Sequence, residues 1–184
     1  MEHYCEFPNE FPEHKFHQKG IGKGKYVLLV GESPAPNGWR KSGKACYSPE
    51  GKLLPTGKRL NELLTEFGLS VEICGFTELS KCFVGKYRKQ LQICSQKCWP
   101  ILLRQLASSK YKLLVILGVE TLRIFNFISG LNLQIGKLEK ALVGNKEYSV
   151  LAIFHPSPIN PNGRVKNKEI FQRLQTSLNK IIME

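Results

Sequence analysis

Residues 148–164, YSVLAIFHPSPINPNGR, bring together side-chain types that do chemistry at the edge of a sheet. An apolar, β-branched run reads as a buried strand, and it stops at His155 because Pro156 and Pro158 each remove a backbone donor and fix φ. The strand therefore delivers an imidazole to its C-terminal tip, and Ser157 is presented between two prolines on a stiff loop. Asn160, Asn162, Gly163 and Arg164 add turn formers and groups able to contact a phosphate. In an open parallel α/β sheet, ligands gather beyond the C-terminal ends of the strands, so His155 stands where a ligand would be met. The plain alternative is a turn carrying a satisfied histidine.

Two further loops have the same character. YVLLVG (26–31) is a short apolar run ending in Gly31, the pattern of a fully buried parallel strand. Residues 31–55, GESPAPNGWRKSGKACYSPEGKLLP, follow it without hydrophobic periodicity, and loops of this length in compact domains are usually functional. ELSKCFVGKYRK (78–89) is the third, polar and basic. With 27 Lys plus Arg against 15 Asp plus Glu, the formal charge is +12, and Lys41, Lys44, Lys86, Arg88, Lys89, Arg164, Lys166 and Lys168 fall in or beside these loops. Positive charge gathered at the unusual motifs points to a polyanion, nucleic acid in particular, rather than to a generically solubilised surface. No G-x-x-x-x-G-K-[ST] occurs, so nucleotide hydrolysis has no support. No apolar run approaches the ~18 residues of a membrane span, and MEHYCEF lacks the apolar core of a signal peptide. The expected setting is intracellular, without a membrane partner.

The elements that must hold these loops can be read from periodicity. A helix beginning near Thr56 carries Leu60, Leu63, Leu64 and Phe67 on one stripe and meets a stop at Gly68. VEICGFT (71–77) is a weaker strand. Leu91, Cys94, Cys98, Ile101, Leu102 and Leu106 form a helical stripe interrupted by Pro100, which predicts a kink or two abutting helices. LLVILG (113–118) repeats the strand-then-glycine pattern, 119–129 continues as helix, and Asn167 is expected to cap a last helix through Ile170, Phe171, Leu174, Leu178 and Ile181. Alternating strands and helices give an α/β fold, a three-layer α/β/α sandwich around a central four-stranded parallel sheet. Residues 26–184 make one domain, and residues 1–25 a basic N-terminal arm. Cysteines in a chain read as intracellular are more often thiols or metal ligands than bridges.

Taken together, VGESPAPNGWRKSG, FTELSKC and FHPSPINPNGR resemble the uracil-DNA glycosylase superfamily, from about Tyr26 to the end, nearest to its iron–sulfur-containing bacterial and archaeal branches. Two such motifs, each ending a buried strand and in the right order, are specific. The first departs from the family pattern in placing Arg40 one residue early, and the last is one residue shorter. The middle motif, T-N-x-x-K-C, appears as Thr77 to Cys82 with Glu78 in place of the asparagine. The family's C-x-P is matched by Cys98-Trp99-Pro100, and its N-terminal cysteine pair is represented by Cys5 alone. The resemblance implies an iron–sulfur cluster or zinc held by Cys82 and Cys98; Cys94, one helical turn from Cys98, and Cys5 are the candidates for further ligands, and buried thiols are the competing reading.

It also implies a monofunctional DNA repair enzyme that releases uracil or another deaminated base flipped out of DNA, acting as a monomer in the cytoplasm at the nucleoid. His155 would stabilise negative charge on the departing base, while Glu32 or Ser33 would position the attacking water. Gly31, Pro34, Glu78 and an aromatic stack from Tyr47, or else Cys46, would hold the base. Arg40, Lys44, Lys81, Ser157, Asn162 and Arg164 would meet the DNA backbone, with Ile159 pressing into the vacated stack. The competing readings are a capping role for Glu32, a packing role for Tyr47 and Ile159, and an ion pair from Glu78 to Lys81. For the whole protein, the competing reading is a catalytically weak binder of lesion-containing or single-stranded nucleic acid.

Overall fold

The computed structural model describes residues 26–35, 39–85 and 88–183, with only the backbone of residues 39 and 40. The expected arm and Cys5 lie outside the described residues, as does the side chain of Arg40. Five strands form one sheet: β1 (Val27–Gly31), β2 (Gly75–Glu78), β3 (Leu113–Leu117), β4 (Leu138–Val143) and β5 (Lys146–Ile153), in spatial order β2-β1-β3-β5-β4. The first three and β5 run parallel, as their short apolar runs predict. β4 pairs antiparallel with β5 and adds a fifth strand at the edge of the four parallel ones. Two of its six residues are charged, and its faces alternate: Ala141 and Val143 are buried, while Lys140 and Leu142 face out. Gly144, at φ 64, and Asn145 form the two-residue loop that turns Val143 back onto Lys146.

The α-helices among the described residues are α1 (Trp39–Ser42), α2 (Pro55–Leu64), α3 (Leu91–Ala107), α4 (Val119–Ser129), α5 (Pro161–Arg173) and α6 (Gln175–Met183), of which α2 to α6 pack on the sheet. Alternate residues of each central strand feed two separate cores, as a sheet buried on both faces requires. Leu29, Val115 and Ile153 pack with Leu60 and Leu64 of α2, Phe171 of α5 and Leu178 of α6. Val30, Ile116 and Val150 pack on the other face with Leu91, Leu102 and Leu106 of α3 and Phe125 of α4. The architecture is the three-layer α/β/α sandwich.

A single 17-residue helix, α3, runs through Pro100, so of the two alternatives there the split into two helices falls away. The helix-cap expectation is corrected. Asn167 does not cap the last helix, because it sits inside α5 and is buried. The cap is Asn160, whose side chain accepts from the Gly163 N–H at 3.0 Å, with Pro161 in the first turn where its missing N–H costs nothing. The helical stripe then breaks, so that α6 is a separate element. β2 is also shorter than its apolar run, since residues 71–74 form a turn.

Candidate active site

The C-terminal ends of the parallel strands converge on one cavity of about 540 Å³. Gly31 ends β1, Glu78 ends β2, Leu117 ends β3, and His155 lies two residues beyond β5; all four line it. Glu32, Ser33, Pro34 and Cys46 complete the set of expected residues on its wall.

The ring of His155 is fixed from its own loop. The backbone N–H of Ser157 donates to Nδ1 at 3.2 Å, so in the neutral imidazole Nδ1 is the acceptor and Nε2 carries the hydrogen. His155 keeps solvent access, yet the surrounding wall desolvates the ring and lowers its pKa below the ordinary histidine value, with the charge of Glu32 opposing. The neutral form is therefore favoured, and a single N–H donor is left at the cavity wall.

Glu32 is engaged by Arg88, whose guanidinium donates to both carboxylate oxygens, the second contact at 2.7 Å. This bidentate pair ties the loop after β1 to the loop after β2. Glu78 is buried directly opposite Gly31 in the sheet register. A side chain at position 31 would begin 3.2 Å from Glu78 Oε1, so glycine there makes room for the carboxylate.

Lys81 is placed differently from expectation. It is 1% exposed, and its ammonium donates to the Thr77 hydroxyl, the Glu78 carbonyl and Gln105 Oε1, the last at 3.1 Å. Burial pushes its pKa down to about 8, while Cys98 and Glu78 pull the other way. Lys81 thus braces the end of β2 from inside and is removed from the set that faces DNA. Its ammonium takes the Glu78 backbone carbonyl.

Tyr47 is not on the cavity wall. Its hydroxyl donates to Glu72, and the Lys44 ammonium stands 3.7 Å from its ring centre. The aromatic rings on the wall are Phe76 and Phe83 instead. Cys46, beside Tyr47, does line the cavity and has a positive φ of 63°, a conformation strained for a residue with a Cβ. Burial first, then the charges of Glu78 and Glu72, raise its thiol pKa to about 12, so it stays protonated and is no nucleophile.

Among the remaining expected residues, Ile159 is 92% exposed beside the cavity loop. Asn162 is exposed in the first turn of α5, and Arg164 pairs with Glu62 on the surface at 3.0 Å. Cys82, Cys94 and Cys98 are buried and outside any disulfide. The Lys81 N–H donates to Cys98 Sγ at 3.3 Å, which sets that sulfur beside the residue preceding Cys82. Among the described residues no three Cys, His, Asp or Glu side chains converge as a metal site.

A family model for the uracil DNA glycosylase superfamily matches residues 20–179. The chain belongs to that superfamily. No curated protein matches it significantly. Superfamily members act on DNA and hydrolyse N-glycosidic bonds. Among the described residues no helix is long and apolar enough to cross a membrane.

Several residues of this candidate site carry little signal in the sequence. Arg88 was visible only as part of a basic run. Phe83 carried no motif signal, and Phe76 stands in FTELSKC without a role assigned to it. Arg59 of α2, whose Nη1 donates to the Ser157 carbonyl at 2.8 Å, was hidden on the polar face of an ordinary amphipathic helix. Asn167 was seen but given the wrong task.

Proposed function

We propose that this chain is a monofunctional DNA glycosylase that removes uracil or another deaminated base from DNA in base excision repair. The observation that carries the reading is the neutral His155, its Nδ1 committed to the Ser157 N–H and its Nε2–H remaining at the wall of a cavity at the strand ends. Breaking the glycosidic bond leaves positive charge on the sugar and negative charge on the base. A pre-oriented N–H aimed at a ring oxygen stabilises the second without a proton transfer. Glu32 and Ser33 flank the same cavity. Glu32 accepts from Arg88 with one contact per oxygen, and a carboxylate has about four acceptor sites, which leaves capacity to orient a water.

DNA damaged by deamination is the proposed partner. A monomer suffices, and the nucleoid in the cytoplasm is the proposed place of action. Arg40, Lys44, Ser157, Asn162 and Arg164 would track the backbone. The test is a panel of oligonucleotides carrying single lesions, followed by alkali, which cleaves the strand wherever a base has been lost. Absence of scission across the panel would favour the second reading, a nucleic-acid binder that does not cleave. That reading draws support from the Arg88 guanidinium, which occupies both oxygens of the Glu32 carboxylate.

Ile159, exposed at the tip of the loop, is the proposed wedge. Its exposure means that Ile159→Ala leaves thermal stability unchanged. Flipping a paired base costs a few kcal/mol, so the variant is expected to lose about tenfold in turnover on duplex DNA and little on single strands. Equal loss on both substrates would remove the wedge.

The proposed iron–sulfur or zinc centre rests on the nearness of Cys98 to Cys82 and on an N–H contact to sulfur of the kind that tunes cluster thiolates. Cys94 and Cys5 are the other proposed ligands, and no step of the reaction is routed through the metal. Iron or zinc near one site equivalent per chain is expected after anaerobic purification. Substoichiometric metal, with folding unchanged by a chelator, removes the centre.

A further inference from the structure

We propose that Asn167, on α5, is a positioning residue for His155, acting through the peptide that joins Phe154 to it; this rests on the glycosylase reading of the cavity. β5 leaves its ladder with β3 at Ile153, which pairs with Leu117. Phe154 is the next residue, and strand pairing no longer fixes its peptide groups. Asn167 takes over: its Oδ1 accepts from the Phe154 N–H at 2.9 Å, and its Nδ2 donates to the Phe154 carbonyl at 2.8 Å. A side-chain amide thus replaces the neighbouring strand for one residue.

The second bond is the informative one. The Phe154 carbonyl belongs to the same planar unit as the His155 N–H, so holding that oxygen fixes the plane from which the His155 side chain departs. Asn167 is 1% exposed and stands mid-helix, where asparagine is a poor helix former and buried amide groups are costly unless bonded. An apolar residue would serve packing better there. The far side of the loop is held as firmly, since the Ser157 carbonyl accepts from Arg59 Nη1 at 2.8 Å and from the Asn160 N–H at 3.0 Å. His155 is therefore clamped from both flanks, and the Ser157 N–H reaches Nδ1 only while both clamps hold.

The test compares Asn167→Leu, which keeps volume and removes both bonds, with Asn167→Asp, which keeps the acceptor and loses the donor. Single-turnover base release, DNA affinity and the ring-nitrogen NMR shifts of His155 are measured on the full chain. Misplacing a reacting group by about 1 Å can cost on the order of a hundredfold in rate, so Asn167→Leu is expected to lose about ten- to a hundredfold in turnover with DNA affinity unchanged. The His155 shifts should move from a single Nε2–H tautomer toward a mixture, and Asn167→Asp should fall between. A folded Asn167→Leu that retains wild-type turnover and the wild-type tautomer overturns the assignment, as does equal loss of binding and turnover with the tautomer intact. If Asn167→Leu fails to fold, Asn167→Asp carries the same readouts. Should the wild type release no base, the glycosylase reading fails, and the tautomer shift alone still decides whether Asn167 positions the ring.

Discussion

His155→Ala is expected to slow base release by about a hundred- to a thousandfold, the usual cost of removing one pre-oriented donor to a developing anion. DNA affinity should change little, because the charge this donor meets exists only as the bond breaks. Equal losses of binding and turnover would place His155 in recognition instead. The pH profile supplies an independent check. Protonating Nδ1 would turn the Ser157 contact into two donors facing each other, so the loop geometry belongs to the neutral ring. Because the pKa of His155 is lowered from 6.5, turnover should stay at its plateau as pH falls past 6.5 and decline only at the lower folded value. Stability follows the same sign. Between the two values the unfolded chain binds more protons than the folded one, so the stabilising contribution is full above 6.5 and is lost as pH falls through the folded pKa. A profile that drops with a midpoint above 6.5 would contradict the desolvated, neutral ring.

What could be read from the sequence was what local periodicity encodes. The four parallel strands, their order of appearance, the helix from Pro55 and the placement of His155 beyond a buried strand all followed from apolar runs and their stops. β4 was missed because apolar Leu142 faces out between buried Ala141 and Val143, which blurs the alternation expected of an edge strand, although the Gly144-Asn145 pair carried a hairpin signal. Asn167 was misread because an asparagine ahead of an apolar stripe looks like a cap, and only the fold shows that its partner is a strand end thirteen residues back. Lys81 looked solvent-facing because lysine usually is. Its buried bonds to Thr77 and Gln105 join residues from two elements and leave no trace in either one's period. Tyr47 lies off the cavity wall and Phe83 lies on it for the same reason, since which loop residue turns inward depends on the neighbours it meets.

Glu78→Asn is expected to raise uracil release relative to release of amine-bearing or purine lesions by tenfold or more, with DNA affinity nearly unchanged. Asparagine can accept from N3–H of uracil while donating to O4, whereas an ionised carboxylate only accepts. Facing O4 it sets lone pairs against lone pairs, and it opposes the negative charge that grows on the departing ring. A buried polar group left with the wrong partner costs about 1–3 kcal/mol, which spans roughly ten- to a hundredfold in discrimination. Glu78 is 6% exposed, ends β2 and lines the cavity, so water screens it weakly there. Gly31 leaves the space that a shorter asparagine would only partly fill, so the variant should not be overpacked. The ammonium of Lys81 rests on the backbone carbonyl of residue 78, a contact that the substitution retains. Removing the carboxylate does take away one of the charges that raise the Lys81 pKa, so that lysine should lose its proton at a lower pH in the variant. The ranking of substrates is the decisive measurement, taken as ratios of single-turnover rates on matched oligonucleotides. If the order and spacing of those ratios match the parent protein, Glu78 does not read the base.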